Sequence, residues 1–384
     1  MPEPGPSVLH LLKGLGPGGA ERLTVTQVTG GRTGGGRSVR YAVGYLLAHK
    51  NHLVAELDAA GVPTRCLHAR ATIRAGWVWR LRRWLRSEPV DIVHVHSPIV
   101  AAATRLVSRT LPRSVRPIVI GTEHNRWPRH HRLTRLANRC TIGLQHTTLA
   151  VSSDVRDSVA RRHRPAVHVV IHGVELERVR ATADRSGARA ELGVADREVL
   201  VVCVANLRRE KALNVLVQAA VRARAVEPRL RYALVGQGPL AEELATEVQH
   251  LGIDDWFSLL GYRPDATRVV SGADIFTLTS RHEGLPVVVM EALALGLPVV
   301  ATAAGGVPEA VGDAGLITPV DDIDAIADAH VALARSSDRR AELAARATDR
   351  AAMFSADRAR DEIEQIYAAA LSSRSEVRRP SSQS

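Results

Sequence analysis

The amino-acid sequence predicts an α/β protein built from two parallel β-sheets in tandem, each covered by helices. Short apolar runs alternate with helix-like segments along most of the 384 residues. This length suits two domains, each large enough for a hydrophobic core of its own. Aromatic residues make up only 3% of the chain, so Val, Leu and Ala supply most of the apolar mass, which suits such layers.

The predicted strands fall into two series, one in each half of the chain. The first series comprises residues 7–12, 40–47, 63–67, 91–96, 117–124, 147–152 and 167–174, and the second comprises residues 198–207, 231–238, 257–261, 274–280, 298–306 and 315–319. Each run is short, rich in Val, Ile and Leu and bounded by polar or glycine-containing segments, as in buried parallel strands.

The segments between and after the two series set the expected domain boundaries. We expect an N-terminal domain at residues 1–172 and a C-terminal domain at residues 173–355, with a linker region in the charged stretch 175–197. A helix at 356–372 is expected to cross back to the N-terminal domain. The polar tail 373–384 is expected to be disordered.

Charge and cysteine content narrow the classes of protein. The formal net charge is +11, and only three of the 51 basic residues are lysines, so arginine supplies almost the whole excess. Such a surplus favours anionic partners: phosphates, acidic lipid surfaces or nucleic acid. The scattered cysteines Cys66, Cys140 and Cys203 support neither a disulfide framework nor a zinc site.

The chain is expected to be cytoplasmic, either soluble or peripheral on the inner membrane face. Its first residues lack the basic and apolar regions of a signal peptide, and no run approaches the roughly 20 apolar residues of a membrane span. The segment GRTGGGRS (31–38) has the glycine spacing of a phosphate-binding loop, but no strand precedes it. We therefore expect a plain loop there.

The segment SRHEGLPVVVMEAL carries two glutamates in otherwise apolar surroundings. Pro286 suits the first position of a helix that follows the strand at 274–280, which places Glu283 at the helix entrance. Glu291 would lie inside the helix, and it must face a polar ligand or partner because a buried unpaired carboxylate is costly. The alternative is that Glu283 caps the helix and Glu291 pairs with an arginine.

This pattern, E-x7-E, resembles the donor-binding region of the retaining GT-B glycosyltransferases of family 4. Other segments match that family in the same order: GPGGAER, DIVHVHS, GTEHN, AVSSDV, VIHGVE, ANLRREKAL, LVGQGPL and GADIFTLTS. The resemblance covers residues 7 to about 355. It implies two Rossmann-like, doubly wound domains facing a cleft, with the acceptor in the N-terminal domain and a nucleotide sugar in the C-terminal domain.

The resemblance also assigns roles around the two glutamates. Glu291 would bind the ribose hydroxyls of the nucleotide-sugar donor, and Glu283 would hold hydroxyls of the transferred hexose. The backbone amides of Gly284 and Leu285, near a helix N-terminus, would bind the sugar and the diphosphate.

A basic residue after the strand at 198–207 completes the implied donor site. Lys211 matches the family lysine that neutralises the leaving diphosphate, although a solvated surface lysine is the alternative. Asn206 stands where the family has an arginine, and Arg208 is expected to supply that charge from the same loop.

In the first half, the resemblance points to a glycine pair and a histidine. Gly18 and Gly19 precede a helix and would let backbone approach phosphate or acceptor closely, unless they form an ordinary turn. His124 corresponds to the histidine that contacts the transferred sugar, and a core histidine bonded to backbone is the alternative. For His96 a structural role is at least as plausible.

The sequence predicts neither a metal nor another cofactor, because no Asp-x-Asp motif stands in a donor-like context. The resemblance implies a retaining transfer of a hexose-type sugar to a saccharide, lipid-linked or small-molecule acceptor. Two alternatives stay open: a GT-B nucleotide-sugar epimerase or hydrolase, and a non-enzymatic nucleic-acid-binding protein. Modules that combine aromatic and basic residues are absent, so no nucleic acid is expected.

An anionic membrane surface is a further expected partner. The segment 73–86, IRAGWVWRLRRWLR, would place Trp77, Leu81, Trp84 and Leu85 on one helical face between arginines, as in an interfacial helix. The alternative is an ordinary helix whose apolar face is buried in the core. A second basic cluster, RWPRHHRLTR (126–135), follows the strand that carries His124.

Overall fold

The structure is a computed structural model that describes residues 5–16, 18–30, 39–69 and 76–378, with side chains described as far as residue 374. It divides into two compact units. The first unit combines the chain up to Gly173 with the chain from Ala356 onward, and the second unit is Val174–Ser355. The segment 31–38 lies outside the described residues.

The first unit contains a seven-stranded parallel sheet with strand order β3-β2-β1-β4-β5-β6-β7. Its strands are β1 (Ser7–Leu12), β2 (Arg40–Tyr45), β3 (Thr64–Cys66), β4 (Ile92–Val95), β5 (Ile118–Glu123), β6 (Thr147–Ala150) and β7 (Val167–Val169). The helices that follow these strands are α1 (Gly19–Thr29), α2 (Val54–Ala59), α3 (Gly76–Ser87), α4 (Pro98–Arg109), α5 (Arg132–Thr141) and α6 (Ser153–Ser158).

The second unit contains a six-stranded parallel sheet with strand order β10-β9-β8-β11-β12-β13. Its strands are β8 (Val199–Val204), β9 (Leu230–Val235), β10 (Phe257–Gly261), β11 (Ile275–Leu278), β12 (Val299–Thr302) and β13 (Gly315–Thr318). The helices are α7 (Leu176–Ala181), α8 (Arg185–Glu191), α9 (Leu213–Val226), α10 (Ala241–His250), α11 (Ala266–Ser271), α12 (Val287–Ala294), α13 (Val307–Val311), α14 (Ile323–Arg335) and α15 (Ser337–Ala351).

The predicted fold class, two doubly wound parallel sheets, is confirmed. Every predicted strand is present, with ends that differ by a few residues, which is usual for element boundaries. The strands were predictable because runs such as VLVVCV in β8 are buried almost completely. Each sheet also reverses its strand order once, between β1 and β4 in the first sheet and between β8 and β11 in the second.

The last helix, α16 (Ala356–Arg378), belongs to the first unit. Its Ile363, Tyr367 and Ala370 are buried in one cluster with Val8 of β1 and Ile92 of β4. The prediction of a disordered tail from residue 373 is therefore wrong for residues 373–378, which continue the helix. A helix that is anchored by its buried face can be extended at little cost in free energy, because each added residue gains a hydrogen bond. Residues 379–384 lie outside the described residues.

The charged stretch 175–197, predicted as a linker region, instead contains α7 and α8 of the second unit. Charged residues of this stretch form ion pairs within the second unit. Arg180 pairs with Glu177 one helical turn away, at 2.8 Å. Arg189 is buried and lies 2.9 Å from Asp274, which anchors α8 beside the start of β11. The polar composition misled the prediction because these charges are paired within the unit.

Helix α3 packs into the core of the first unit. The side chains of Trp77, Leu81, Trp84 and Leu85 are all at most 8% exposed. The hypothesis of an interfacial helix at 73–86 is therefore wrong for the described part of that segment; residues 73–75 lie outside it. Both a core and a membrane surface require the same apolar stripe, so periodicity alone does not distinguish them. Across the described ranges, no helix is long and apolar enough to span a bilayer.

Candidate functional site

Polar side chains gather where each sheet reverses its strand order. Open α/β sheets bind ligands beyond the carboxyl ends of the strands at such a reversal. Lys211 and Glu283 follow β8 and β11, the two strands that flank the reversal in the second sheet. In the first sheet, His10 lies on β1 and His94 on β4, and the two residues are directly paired in the strand register.

Lys211 and Glu283 form an ion pair at the reversal in the second sheet. Lys211 Nζ lies 2.5 Å from Glu283 Oε1, and Ser280 Oγ donates a hydrogen bond to the same oxygen, also at 2.5 Å. The Lys211 and Glu283 side chains are only 19% and 11% exposed. Removing either partner would leave a largely buried charge without its counter-charge. The alternative of a solvated surface lysine is therefore wrong.

The loop that carries Lys211 is fastened to the loop after β11. Lys211 ends a short 3-10 helix, and its carbonyl accepts a hydrogen bond from Thr279 Oγ1 at 3.1 Å. Arg281 donates through its backbone N–H to the Glu210 carbonyl at 2.8 Å. Ala212, the next residue, has a left-handed backbone with φ of 49°. A residue with a side chain adopts this conformation only where surrounding contacts hold it.

The backbone at Glu283 is held from the other side by the loop after β12. Gly305 has φ of +57°, and a Cβ at this position would lie 2.0 Å from the Glu283 carbonyl oxygen. Gly306 donates its N–H to the Gly284 carbonyl at 3.1 Å. Only glycine permits this approach at position 305. Gly305 and Gly306 together therefore fix the backbone from which the Glu283 side chain projects.

The other predicted donor residues lie near the same edge of the second sheet. Glu291 is half-buried on α12, and Pro286 is the N-cap of that helix, one position before the predicted one. Gly284 and Leu285 are buried between Glu283 and the helix. Arg208 is exposed directly before the 3-10 helix that contains Lys211. The binding roles of these residues stay predictions, whereas Ser280 is a neighbour of Glu283 that the sequence did not single out.

The polar group of the first unit consists of histidines and one tyrosine. His124, half-buried after β5, lies with its Nε2 3.1 Å from Nδ1 of the buried His96. His96 Nε2 lies 2.9 Å from His10 Nδ1. His124 thus bonds to a side chain and not to backbone, which departs from the alternative considered for it. The expected structural role of His96 agrees with its burial, and the sugar contact of His124 stays a prediction.

These imidazoles are neutral at pH 7. Burial, followed by the nearby His172, lowers the pKa of His10 and of His124 to about 3. Burial and then neighbouring histidines hold the pKa of His94 and of His96 well below the usual value. Each ring therefore offers one N–H donor and one acceptor nitrogen, and it can orient hydroxyl groups without introducing charge.

Three buried members of this group, His10, His94 and Tyr367, were missed by sequence reasoning. His10 interrupts an otherwise apolar strand, SVLHLL, and its pairing with His94 across the sheet is a signal that strand register could have supplied. Tyr367 of α16 places its hydroxyl 2.6 Å from His94 Nδ1. Nothing near Tyr367 in the sequence indicates this contact, because the two residues are 273 positions apart.

The predicted glycine pair lies at the start of α1. Gly18 is the N-cap and Gly19 the first residue of the helix. A Cβ on Gly18 would lie 2.3 Å from Glu21 Oε2, so the Glu21 carboxylate rests against this turn. A carboxylate in the first turn complements the positive end of the helix dipole. The contact of this pair with phosphate or acceptor stays a prediction.

One group of side chains in the described part of the chain has the spacing of metal ligands. One ligand nitrogen from each of His10, His94 and His96 lies within 4.8 Å of the others. These nitrogens already have hydrogen-bond partners, since His10 and His96 bond to each other and His94 bonds to Tyr367 and Thr122. The hydrogen-bonding capacity of these three rings is therefore met by protein partners, with the rings in their neutral form.

Comparison with known proteins gives matches in both halves of the chain. The model described as "Glycosyltransferase Family 4" matches residues 17–178, and "Glycosyl transferases group 1" matches residues 198–336. D-inositol 3-phosphate glycosyltransferase of Corynebacterium aurimucosum is 30% identical over 304 residues, which are 75% of this chain and 69% of that protein. The protein of the same name from Saccharomonospora viridis is 34% identical, over 62% of this chain and 59% of that protein.

A third relative and two solved structures widen the comparison. N-acetyl-alpha-D-glucosaminyl L-malate synthase of Bacillus anthracis is 26% identical over 68% of this chain and 70% of that protein. Anabaena HepE in complex with UDP and glucose has a TM-score of 0.80 at 20% identity, with 95% of this chain and 100% of that chain covered. Sucrose-phosphate synthase of Thermosynechococcus elongatus has a TM-score of 0.78 at 17% identity, covering 96% and 100%. These likenesses confirm the predicted GT-B fold.

Proposed function

Since the chain belongs to the family 4, group 1 glycosyltransferases, we propose that it transfers a hexose-type sugar from a nucleoside diphosphate sugar to an acceptor hydroxyl, with retention of anomeric configuration. The observation that carries the proposal is the shielded Lys211–Glu283 pair at the strand-order reversal of the second sheet. The binding of UDP and glucose by HepE, a protein of the same fold, supports a donor of this chemical class.

Lys211 offers a cation to the diphosphate of the donor. As the bond between the anomeric carbon and the diphosphate oxygen breaks, its electron pair stays on the diphosphate, and a cation nearby stabilises this growing negative charge. The acceptor oxygen forms the new bond on the same face of the sugar. Its proton passes to the departing phosphate oxygen, so no separate general base is required. Arg208, exposed in the same loop, adds a second cation.

Glu283 accepts hydrogen bonds from hydroxyls of the transferred hexose while it holds Lys211 in place. Glu291 accepts from the ribose hydroxyls, and the amides of Gly284 and Leu285 donate toward the sugar and diphosphate. The positions of the two glutamates support these separate roles. Glu283 lies before α12, and Glu291 lies eight residues later within that helix. Charged acceptors form stronger hydrogen bonds than neutral ones, which suits the recognition of several hydroxyls.

Nucleotide-sugar binding tests the proposal first. The full chain is screened against uridine, guanosine and adenosine diphosphate sugars by thermal shift, and we expect one nucleotide class to raise the melting temperature. The same screen with Lys211→Ala should give a smaller shift, whereas Arg222→Ala, an exposed change on α9, should leave the shift unchanged. Absence of any shift, or equal shifts in wild type and Lys211→Ala, would contradict the donor site.

A second assay separates transfer from the alternative chemistries. We expect release of nucleoside diphosphate to depend on an acceptor, such as an inositol phosphate or a mixed pool of hydroxyl-bearing metabolites. The names of the relatives from Corynebacterium aurimucosum and Saccharomonospora viridis suggest inositol phosphate as the first acceptor to try. Formation of free sugar or of an epimer at full rate without acceptor would favour a hydrolase or epimerase instead.

An anionic membrane surface remains a proposed partner, now through α5. Leu133 and Leu136 are 72% and 57% exposed, and they lie on one side of this helix three positions apart. Arg132, Arg135 and Arg139 are exposed on the same helix. An apolar stripe flanked by cations matches an anionic bilayer, whose surface attracts basic residues at about 1 kcal/mol each.

Vesicle sedimentation tests this surface. We expect the chain to pellet with vesicles of phosphatidylglycerol and phosphatidylcholine at low salt, and to remain in the supernatant with phosphatidylcholine alone. The double change Leu133→Ser and Leu136→Ser should abolish pelleting, whereas Leu251→Ser, a matched exposed leucine in the second unit, should not. Equal recovery in the supernatant with both vesicle types would exclude the surface and favour a soluble acceptor.

A further inference from the structure

A continuous line of hydrogen-bonding atoms leads from His124 into the core of the first unit. His124 Nε2 lies 3.1 Å from His96 Nδ1, and His96 Nε2 lies 2.9 Å from His10 Nδ1. His10 Nε2 in turn lies 3.5 Å from the hydroxyl of Tyr367. His10 and Tyr367 are fully buried and His96 is 5% exposed, so water does not compete for these bonds.

The line continues beyond the Tyr367 hydroxyl. This oxygen lies 2.6 Å from His94 Nδ1, and His94 Nε2 lies 2.7 Å from Thr122 Oγ1. Gln27 of α1 donates its side-chain amide to the same hydroxyl at 3.4 Å. Tyr367 therefore connects two branches, one toward His124 and one toward Thr122.

The protons along this line are not independent of one another. A neutral imidazole carries one N–H donor and one acceptor nitrogen, and the low pKa values of these rings keep them neutral. A ring that accepts on one nitrogen must then donate from the other. Along His124, His96 and His10 the direction of any one bond therefore sets the direction of the others, so two arrangements are consistent. The Tyr367 hydroxyl has a single proton, which it donates to His10 in one arrangement and can donate to His94 in the other.

The contacts of Tyr367 select one of the two arrangements. Its 2.6 Å contact with His94 Nδ1 is shorter than N–H···O bonds usually are, about 2.7–3.2 Å, and suits a hydroxyl donor. The contact of the hydroxyl with His10 Nε2 is much longer, at 3.5 Å, so the hydroxyl proton is assigned to His94, while Gln27 donates to the hydroxyl oxygen. Tyr367 then accepts from His10 Nε2–H, His10 accepts from His96 Nε2–H, and His96 accepts from His124 Nε2–H.

We propose that Tyr367, His10 and His96 act as positioning residues that hold His124 in the Nε2–H tautomer, so that its Nδ1 accepts a hydrogen bond from a hydroxyl of the transferred sugar. The inference rests on the proposed function and on the predicted contact of His124 with a sugar. It assigns α16, the last helix of the chain, a role in sugar recognition through a tyrosine that never touches the ligand. A histidine without this relay would populate both tautomers, and one of them would offer no acceptor at Nδ1.

Nitrogen NMR of the full chain with ¹⁵N-labelled histidine tests the tautomer directly, with His124→Gln used to assign the signals. In the wild type we expect His124 to carry its proton on Nε2 at pH 7. Tyr367→Phe removes the hydroxyl, so His124 should show a mixture of tautomers. Tyr232→Phe is the matched control, because Tyr232 is also buried and also contacts a histidine, His330, but in the second unit. It should leave the His124 signals unchanged.

Ligand binding by the same variants provides the functional measurement. Tyr367→Phe should weaken binding of the nucleotide sugar about 2- to 12-fold, the range for loss of one hydrogen bond, while binding of the free nucleoside diphosphate stays the same. Tyr232→Phe should change neither. A loss of both ligands to the same degree would indicate general damage to the fold and would contradict a specific role in sugar recognition.

Several outcomes would overturn the proposal. A proton on His124 Nδ1 in the wild type contradicts it without any variant, so the test does not depend on the folding of Tyr367→Phe. An unchanged His124 tautomer in Tyr367→Phe also contradicts it, as does one equivalent of metal bound by His10, His94 and His96 in the purified protein. If no nucleotide sugar binds at all, the proposed function fails, while the NMR result still tests the relay.

Discussion

The two strand-order reversals of this chain use opposite chemistry. In the second sheet, a lysine and a glutamate form a shielded ion pair 2.5 Å apart. In the first sheet, the buried histidines bond to one another and to a tyrosine, and none carries a charge at pH 7. The same topology thus presents fixed charge in one unit and uncharged donors and acceptors in the other.

This difference matches two kinds of ligand group. A diphosphate gains negative charge as the bond to the sugar breaks, and a nearby cation stabilises it. Sugar hydroxyls stay uncharged throughout, so they are recognised by the direction of hydrogen bonds. We therefore expect the ion pair to be disrupted by the loss of a charge. The buried histidines of the first unit should instead be disrupted when they gain a charge.

The largest expected contrast is the response to acid. Five histidines that lie close together in the first unit have folded-state pKa values below the unfolded value of about 6.5: His10, His94, His96, His124 and His172. Their contribution to stability is complete above that pH and is lost as the pH falls toward 3 to 4, where His10, His124 and His172 titrate in the folded state. Each can contribute up to about 1.4 kcal/mol per pH unit.

In the second unit, His330 is the buried histidine with a comparable shift among the described residues; its pKa is lowered to about 3 by burial. We therefore expect the first unit to open at higher pH than the second. Hydrogen exchange with mass spectrometry at pH 7 and pH 5, corrected for intrinsic rates, measures each unit within the full chain. Equal loss of protection in both units would refute the contrast.

Removal of the cation should have the next largest effect. In Lys211→Ala the diphosphate loses its counter-charge, and we expect turnover at saturating donor to fall by about 10²–10³-fold, with a smaller change in donor affinity. Steady-state kinetics over a range of donor concentrations separate the two effects. Arg222→Ala, an exposed basic residue on α9, serves as the control. If affinity falls and saturated turnover does not, Lys211 is a binding residue only.

Loss of the ribose acceptor should cost less. Glu291→Ala is expected to weaken donor binding by about 1.5–3 kcal/mol, because the ribose hydroxyls lose a charged hydrogen-bond acceptor. Titration calorimetry measures the change, and Glu243→Ala, an exposed glutamate on α10 of the same unit, should bind the donor as the wild type does. Unchanged affinity in a folded Glu291→Ala protein would disprove the ribose contact.

The smallest expected effect is that of chelation. The proposed donor site neutralises the diphosphate with Lys211, Arg208 and backbone amides, and the sequence has no Asp-x-Asp motif in a donor-like context. We expect turnover to be the same before and after treatment with EDTA. Loss of activity that magnesium or manganese restores would mean that the charged site is incomplete as described.

The sequence predicted best those features that depend on neighbouring residues. Runs such as VLVVCV are apolar without a break because both faces of a parallel strand are buried, so each strand could be located. The loops around Lys211 and Glu283 could be located because family spacing and strand ends coincide. The glycine at Gly305 could have been anticipated as a close backbone approach, but its partner, Glu283, is visible only in the structure.

Features that depend on distant contacts could not be predicted in the same way. The apolar stripe of α3 would suit a membrane equally well, and only its packing shows that Trp77 and Leu81 lie in the core. The charges of 175–197 suggested a linker because the partner of Arg189, Asp274, lies 85 positions away. Tyr367 entered the histidine group through α16, which follows the whole second unit in sequence.

The most direct test of the central claim is to map where the donor binds. Hydrogen exchange with and without the nucleotide sugar selected by the thermal-shift screen reports protection along the full chain. We expect the donor to protect segments 205–212 and 280–291. The free nucleoside diphosphate should protect segment 205–212 at least as well as the donor does. Protection confined to other segments, or none in either of these two, would contradict a donor site at the Lys211–Glu283 pair.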